Sequence, residues 1–221
     1  MIDLIQTIRN VKHNDILKSM VSFEFKNVTF GYKNEEIILE NTNFKISNNG
    51  LTLLKGNNGT GKTTIFKLLT KFEQPISGYV ICTGNSIIGY SSAKGDDVNS
   101  YIKCNSFLSD CLGDLTTNYL SPVLDFLNLQ KCKDQRMLEL SSGQRKKLSI
   151  FRAFIKSQSC MFFDEPLSHL DISFQQIVVE QIIKMKETMN ILIATHTDKF
   201  DSSASHIYEI KDKSINIVNI D

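Results

Sequence analysis

Residues 51–63 read Leu51-Thr52-Leu53-Leu54-Lys55-Gly56-Asn57-Asn58-Gly59-Thr60-Gly61-Lys62-Thr63. A short strand-like run passes directly into a loop that fits the pattern G-x-x-x-x-G-K-[ST]. Behind the loop, Ile65, Leu68, Leu69 and Phe72 recur at helical spacing, which predicts a helix with one buried face. Strand, loop and helix are the context in which this pattern holds phosphate. Glycines let the backbone wrap so that successive N–H groups point inward at phosphate oxygens. The following helix adds the positive end of its dipole. In this arrangement Lys62 neutralises charge on the β- and γ-phosphates, and Thr63 offers a hydroxyl to Mg²⁺. A chance glycine turn is the alternative, and it does not explain why the flanking elements are of the required kind.

Two further motifs extend the reading. Cys160-Met161-Phe162-Phe163-Asp164-Glu165 is an apolar strand ending in two acids. Such a pair is ordinarily a solvated strand end. Downstream of a phosphate loop, Asp164 reads as a holder of the Mg²⁺ shell and Glu165 as the base that polarises an attacking water. Between the two motifs lies Leu140-Ser141-Ser142-Gly143-Gln144. Ser141 offers a hydroxyl, Gly143 allows close backbone approach, and a helix opening here presents N–H groups to an anion. Lys62 already serves a nucleotide, so a second donor set implies a second nucleotide. A two-fold or pseudo-two-fold pair of chains satisfies both sites.

Taken together, these motifs resemble the ATP-binding cassette (ABC) ATPases, over about residues 22–218. The resemblance implies an α/β fold of the P-loop NTPase type. It implies a mainly parallel core sheet, an antiparallel β subdomain and an inserted helical subdomain at about 93–150. It implies ATP and Mg²⁺ as cofactors, with Gly56, Asn57, Asn58, Gly59, Thr60, Gly61, Lys62, Thr63 and Thr64 on the phosphates and Tyr32 stacked on adenine. Base–aromatic stacking is worth about 1–3 kcal/mol for nucleic-acid bases, and a tyrosine at a hairpin edge is the plainer reading. Ser141, Ser142, Gly143 and Gln144 would close over the nucleotide of a partner. Ser168-His169-Leu170-Asp171 matches the D-loop, with Asp171 communicating across the dimer. His196, in Ala194-Thr195-His196, matches the switch histidine near the γ-phosphate, although an isolated histidine is more often structural. Catalysis would rest on Glu165, His196 and Lys62, and the metal on Thr63 and Asp164.

The implied partners are a separate transmembrane permease and a second ABC ATPase, as homodimer or heterodimer. The implied location is peripheral, on the cytoplasmic face of a membrane. The compact cassette resembles simple export ATPases. The rival is a soluble ABC ATPase outside transport, of the iron–sulfur assembly type. Relatives that act on ribosomes carry two cassettes, and those that act on chromosomes insert a long coiled coil, and this sequence shows neither feature. A guanine-reading Asn-Lys-x-Asp motif is absent, which argues against a GTPase.

The sequence departs from the family at two places. Members usually carry a glutamine on the loop after the strand that here reads Ile87-Ile88-Gly89-Tyr90, and Ala93 occupies that position. No glutamine occurs between Gln74 and Gln130, so no shift of register restores it. Ser91, Ser92 and Lys94 are candidates for its work. Ser142 also replaces the commoner glycine of the signature. Lysine, both acids and histidine are present, so slow but real hydrolysis is expected.

Composition agrees with these readings. The chain has 221 residues, 41% apolar and 22% charged, which suits a soluble domain with a sizeable core. A net charge of +1 gives no basic field for nucleic acid or an anionic membrane. Five cysteines without paired CxxC spacing read as free thiols in a reducing compartment. No apolar run approaches the roughly 20 residues that span a bilayer, and Asp3, Arg9, Lys12 and His13 argue against a secretory signal. Residues 1–21 are expected to hold an amphipathic helix with Leu4, Ile8 and Val11 on one face, packed on its own domain or serving as a handle for a membrane partner. Residues 22–221 are expected to form one ATPase domain. Strands are expected at 22–32, 44–46, 51–55, 79–90 (two, joined at Gly84-Asn85), 160–163 and 191–194, with a turn at Asn48-Asn49-Gly50. Helices are expected at 144–156 and around Val178, Ile182, Met185 and Met189, and a terminal hairpin at 207–220.

Overall fold

A computed structural model describes residues 2–13, 21–32, 36–46, 50–84, 87–158 and 160–218. In chain order the elements are α1 (Ile2–His13), β1 (Ser22–Gly31), β2 (Ile37–Ile46), β3 (Gly50–Lys55), α2 (Lys62–Leu69), β4 (Ser77–Thr83), β5 (Ile88–Ser91) and α3 (Cys104–Leu112). There follow α4 (Thr116–Leu127), α5 (Ser142–Lys156), β6 (Cys160–Asp164), α6 (Ile172–Met185), β7 (Asn190–Ala194), β8 (His206–Lys211) and β9 (Ser214–Val218). The fold is α/β, with parallel core strands and a separate antiparallel sheet. The chain divides into two compact units, one of Met1–Lys18 with Ile87–Ile182 and one of Ser19–Ser86 with Ile183–Asp221.

In the second unit, β3 is flanked by β7 and β8, both parallel to it, with Leu51 opposite Ile191 and Leu54 opposite both Ala194 and Tyr208. Leu51, Leu53, Leu54, Ile191, Leu192 and Ile193 are fully buried. Burial of each such side chain is worth about 1.5–3 kcal/mol, and the unbroken apolar runs are what strands covered on both faces require. β9 returns antiparallel to β8 through Asp212 and Lys213, both left-handed at φ 49° and 63°, the backbone of a tight hairpin turn. A three-stranded antiparallel sheet in the order β2-β1-β4 lies in the same unit. Phe23, Phe25, Val28 and Phe30 of β1 are all buried although the last two break the alternation. A register slip between Phe25 and Val28, with Asn27 at φ 50°, restores them to the core side. The Phe44 and Tyr208 rings meet edge to face at 4.8 Å.

In the first unit, β5 and β6 run parallel, Ile88 opposite Cys160 and Ser91 opposite Phe163. α5 packs against β5, and Gly89 permits the approach, because a Cβ there would lie 2.2 Å from the Ala153 carbonyl oxygen. Leu148, Phe151 and Ile155 of α5 are buried, as their spacing predicts. α3 and α4 lie within the stretch 93–150 expected to be helical. The five cysteines are free thiols, and burial pushes Cys104 up to about 11 and Cys111 up to about 12.

Two local expectations need correction. The phosphate-loop helix stops at Leu69, because Thr70 caps it and Lys71 turns left-handed at φ 60°. Phe72 is therefore outside the helix and 77% exposed rather than part of its buried stripe. In α1 the buried residues are Ile5, Ile8 and Arg9, whereas Val11 is 55% exposed. The helix rests on its own unit through polar contacts at the C-terminal end of α5: Arg9 donates to Phe154 O and Ser157 O, and His13 Nε2 lies 2.9 Å from Ile155 O. The two strands expected within 79–90 are present as β4 and β5, β4 pairing with β1 and β5 with β6. Asn85, Ile220 and the turn at Asn48-Asn49 lie outside the described residues.

Candidate functional site

The second unit holds the phosphate loop between β3 and α2. Gly61 occupies the N-cap of α2 at φ 103°, a conformation that disfavours any residue with a side chain, and a Cβ there would sit 2.6 Å from Ile38 Cγ2. Thr60 folds back on Asn57, its Oγ1 donating to Asn57 O at 2.9 Å. Asn57, Asn58 and Gly59 are exposed at the loop's tip, and Gly56 takes φ 151° at its base. Lys62 is only 7% exposed, and its Nζ lies across the loop, donating to Gly56 O at 2.7 Å and Asn57 O at 3.1 Å. Thr63 is exposed at the first turn of α2, and Thr64 is buried with its Oγ1 3.4 Å from the Tyr32 hydroxyl.

Tyr32 stands just beyond β1 in the same unit. Its ring meets Phe30 edge to face at 5.1 Å, and Lys67 Nζ lies 5.0 Å from the ring centroid and 3.0 Å from the hydroxyl. The ring is half-buried. His196 follows β7 and is exposed. Thr195 N donates to Leu54 O at 3.1 Å, so His196 leaves the sheet at the same C-terminal edge from which β3 enters the phosphate loop. In sheets of parallel strands, ligands bind outside this edge. Sequence reasoning missed a clamp on the His196 turn: Lys55 Nζ reaches Asp201 at 2.7 Å and Thr197 O at 2.5 Å.

In the first unit, β6 ends in Asp164, 2% exposed, and Glu165, which is left-handed at φ 44°. His169 is left-handed as well, at φ 63°. Non-glycine residues held there store roughly 1–3 kcal/mol each and gather at functional sites. Ser141 N-caps α5: its hydroxyl accepts from Gln144 N at 3.2 Å, and Gln144 Oε1 accepts from Ser141 N at 2.8 Å. This reciprocal box explains Ser141 and Gln144 as a helix start. It uses the hydroxyl oxygen only as an acceptor and leaves its O–H to donate. Gly143 is required by packing, since a Cβ would lie 2.5 Å from His169 O. Ser142, at the first helical position, has no such restriction.

Asp171 fills the N-cap of α6, accepting from Phe174 N at 2.9 Å and Ser173 Oγ at 2.6 Å and pairing with Lys147 at 2.9 Å. The Ser173 hydroxyl, then Lys147 and the Phe174 N–H, hold its carboxyl well below the usual range. Around Ala93, the serines offered as substitutes for glutamine are otherwise engaged. Ser91 Oγ lies 2.8 Å from Ser149 Oγ, and Ser92 Oγ lies 2.6 Å from the carboxylates of both Asp96 and Asp97. Lys94 is exposed. Lys146, also missed by sequence reasoning, is fully buried, and desolvation pushes its ammonium down to about 8. The available signal was a lysine on the same helical face as Ser149, Ile150 and Ala153.

Phosphate loop, acid pair and strand-end histidine on parallel strands define a P-loop ATPase. The sequence model described as ABC transporter matches residues 39–168, more than half of the chain. The zinc import ATP-binding protein ZnuC of Rickettsia conorii is 32% identical over 171 residues, covering 77% of this chain and 73% of that protein. The chain therefore belongs to the ABC transporter family, as an ATP-binding and ATP-hydrolysing subunit. The mitochondrial iron–sulfur clusters transporter ATM1 of Saccharomyces cerevisiae is 28% identical over 197 residues, 79% of this chain and 29% of its own. A bacterial Atm1-family ABC exporter with ATP bound shares the fold at a TM-score of 0.76 and 20% identity, over 91% of this chain and 39% of that one. Among the described residues no helix is long and apolar enough to cross a membrane.

Proposed function

We propose that the chain is the motor of a transporter whose membrane helices lie on a separate polypeptide. Two such subunits, identical or homologous, close on two ATP molecules and reopen on hydrolysis. ATP drives closure only to the extent that it binds the closed pair better than the open one. The phosphate loop binds the β- and γ-phosphates, with Lys62 exchanging its loop carbonyls for phosphate oxygens. Tyr32 offers its ring to the base, and Ser141, Ser142 N–H and Gly143 N–H face the partner's nucleotide. The donor set suits Mg²⁺: the Thr63 hydroxyl and the Asp164 carboxylate are hard oxygen ligands of the kind this ion selects, and the ion would neutralise charge as it develops on the transferred phosphoryl group. Glu165 accepts the proton of the attacking water, and His196 orients the γ-phosphate. Asp171, at the N-cap of α6, lies where a dimer contact would reach the start of that helix.

The observation that carries this reading is the placement of His196 and the phosphate loop on one edge of β7 and β3. Export is the direction expected of a compact cassette. Similarity to a zinc import protein over 73% of its length favours a second direction, uptake of a metal ion through a separate permease. Purified chain is expected to release phosphate from Mg-ATP. The Glu165→Gln variant should be slower by about 100-fold or more, the scale of general-base catalysis, while still binding nucleotide and sedimenting as a dimer at saturating Mg-ATP. Equal rates, or a variant that stays monomeric, would remove the proposal.

A further inference from the structure

Lys146 lies in the middle of α5 with no exposure, and its Nζ donates to two main-chain oxygens, Ser92 O at 2.5 Å and Asp164 O at 2.8 Å. One acceptor belongs to the loop that lacks the family's glutamine, and the other belongs to the end of the strand that carries the acid pair. Further contacts join the same three segments. Asp97 accepts from Ser92 N at 3.2 Å, from Ser149 Oγ at 2.8 Å and from Arg152. Gly95, at φ 65°, lies so close to α5 that a Cβ would meet Arg145 C and Lys146 N at 2.8 Å. Ser168 Oγ sits 3.0 Å from Ala93 O and 2.8 Å from Glu165 O.

Stability alone does not call for a lysine at this place. Burying an ammonium costs several kcal/mol of desolvation, and a methionine or leucine would fill similar volume without it. What the lysine supplies is direction: two N–H bonds that fix the main chain of Asp164 relative to the loop 91–97. That loop cannot act through a glutamine side chain, so its tie to the acid strand runs through backbone oxygens.

We propose that Lys146 is a positioning residue for ATP hydrolysis, fastening the acid-bearing end of β6 and the loop 91–97 to the signature helix α5 so that the three move as one body. The inference rests on the reading of Asp164 and Glu165 as the hydrolytic acids. The signature helix that meets the partner's nucleotide thereby carries the chain's own acids with it.

The test uses the full chain and four variants, Lys146→Met, Lys146→Arg, Ser168→Ala and Glu165→Gln, with phosphate release, fluorescent-nucleotide binding and thermal melting measured on each. Lys146→Met is expected to lower kcat by about 100-fold, the scale set by a misplacement of about 1 Å at an active site, with nucleotide Kd unchanged. Lys146→Arg, which keeps charge and donors, should recover part of kcat. Ser168→Ala should lower kcat by a smaller factor in the same sense, and it carries the test if Lys146→Met does not fold. Wild-type kcat in both Lys146→Met and Ser168→Ala overturns the proposal. So does a fall in kcat that comes with equal loss of nucleotide affinity and melting temperature, or an arginine no better than methionine. Equal rates for wild type and Glu165→Gln would instead sink the underlying assignment of the acids.

Discussion

Lys62 and Lys146 both bury their side chains and both donate hydrogen bonds from Nζ to main-chain oxygens, yet they belong to regions built in different ways. Lys62 leans on Gly56 O and Asn57 O, carbonyls of its own loop five and six residues away, beside residues that are exposed. Lys146 reaches carbonyls 54 and 18 residues away, in an interior with no exposure. The phosphate loop is a local device in which a cation beside an exposed loop can trade weak acceptors for phosphate oxygens. The α5 junction is a distributed device in which a buried cation holds segments in place and has nowhere else to go. Ligand affinity should therefore depend on the first region, and rate and cohesion on the second.

The largest separation between the regions is expected from Lys62→Ala. Hydrogen bonds to charged groups are worth about 1.5–3 kcal/mol, so nucleotide binding should weaken by roughly 10- to 100-fold. The variant should still fold and melt cooperatively without nucleotide, because the loop carbonyls at Gly56 and Asn57 lie near solvent. Titration with a fluorescent ATP analogue and a melting curve check both halves. Unchanged affinity would break the comparison at its first term.

The same contrast explains what could be read in advance. Strand, loop and helix at 51–69 are legible because eight consecutive residues carry the phosphate-binding geometry and apolar runs flank them. The buried strands β6 and β7 are legible for the same reason, since Cys160–Phe163 and Ile191–Ala194 have no polar break before the acids and the threonine. The limit of the phosphate-loop helix was not legible: Phe72 keeps the helical period, and only the left-handed turn at Lys71 takes it out of register. The face of α1 was misread because a buried arginine, Arg9, looks polar in sequence and is inside by virtue of carbonyls at the end of α5. The glutamine-less loop defeated residue-by-residue reading for a related reason. Its serines are consumed by Asp96, Asp97 and Ser149, and its links to the acid strand are main-chain oxygens, to which sequence gives no label.

An intermediate effect, confined to the α5 region, is expected from Arg9→Met, which keeps the apolar stem and removes the guanidinium. Burial lowers this guanidinium to about 10, yet it stays charged at neutral pH and donates to Phe154 O, to Ser157 O at 3.1 Å and to Ser157 Oγ at 2.9 Å. The two carbonyls belong to the last turn of α5 and the residue just beyond, where the helix leaves carbonyls without partners of its own. Loss of the donors should cost about 1.5–3 kcal/mol, read as a fall in melting temperature at roughly 2–4 °C per kcal/mol for a chain of this size. Nucleotide affinity should not change. If affinity fell along with stability, the two regions would not be separable.

The smallest effect is a pH dependence at the same helix end. His13 Nε2 meets Ile155 O at 2.9 Å, which assigns the proton to Nε2, and Nδ1 is buried without a hydrogen-bond partner among the described residues. Protonating Nδ1 would bury a second N–H with no acceptor. Desolvation lowers the His13 value, the Ile155 carbonyl opposes that shift, and Arg9 and Lys12 reinforce it by repulsion. Because the folded value lies below the unfolded one, stability is full above about 6.5, the ordinary histidine value. It declines as pH falls through that value, where the unfolded chain takes up the proton first. Melting temperature recorded from neutral to mildly acidic pH should drop more steeply for wild type than for His13→Gln, whose amide can keep the bond to Ile155 O without titrating. Parallel slopes would show that this end of α5 is open to water and that the buried region is confined to the surroundings of Lys146.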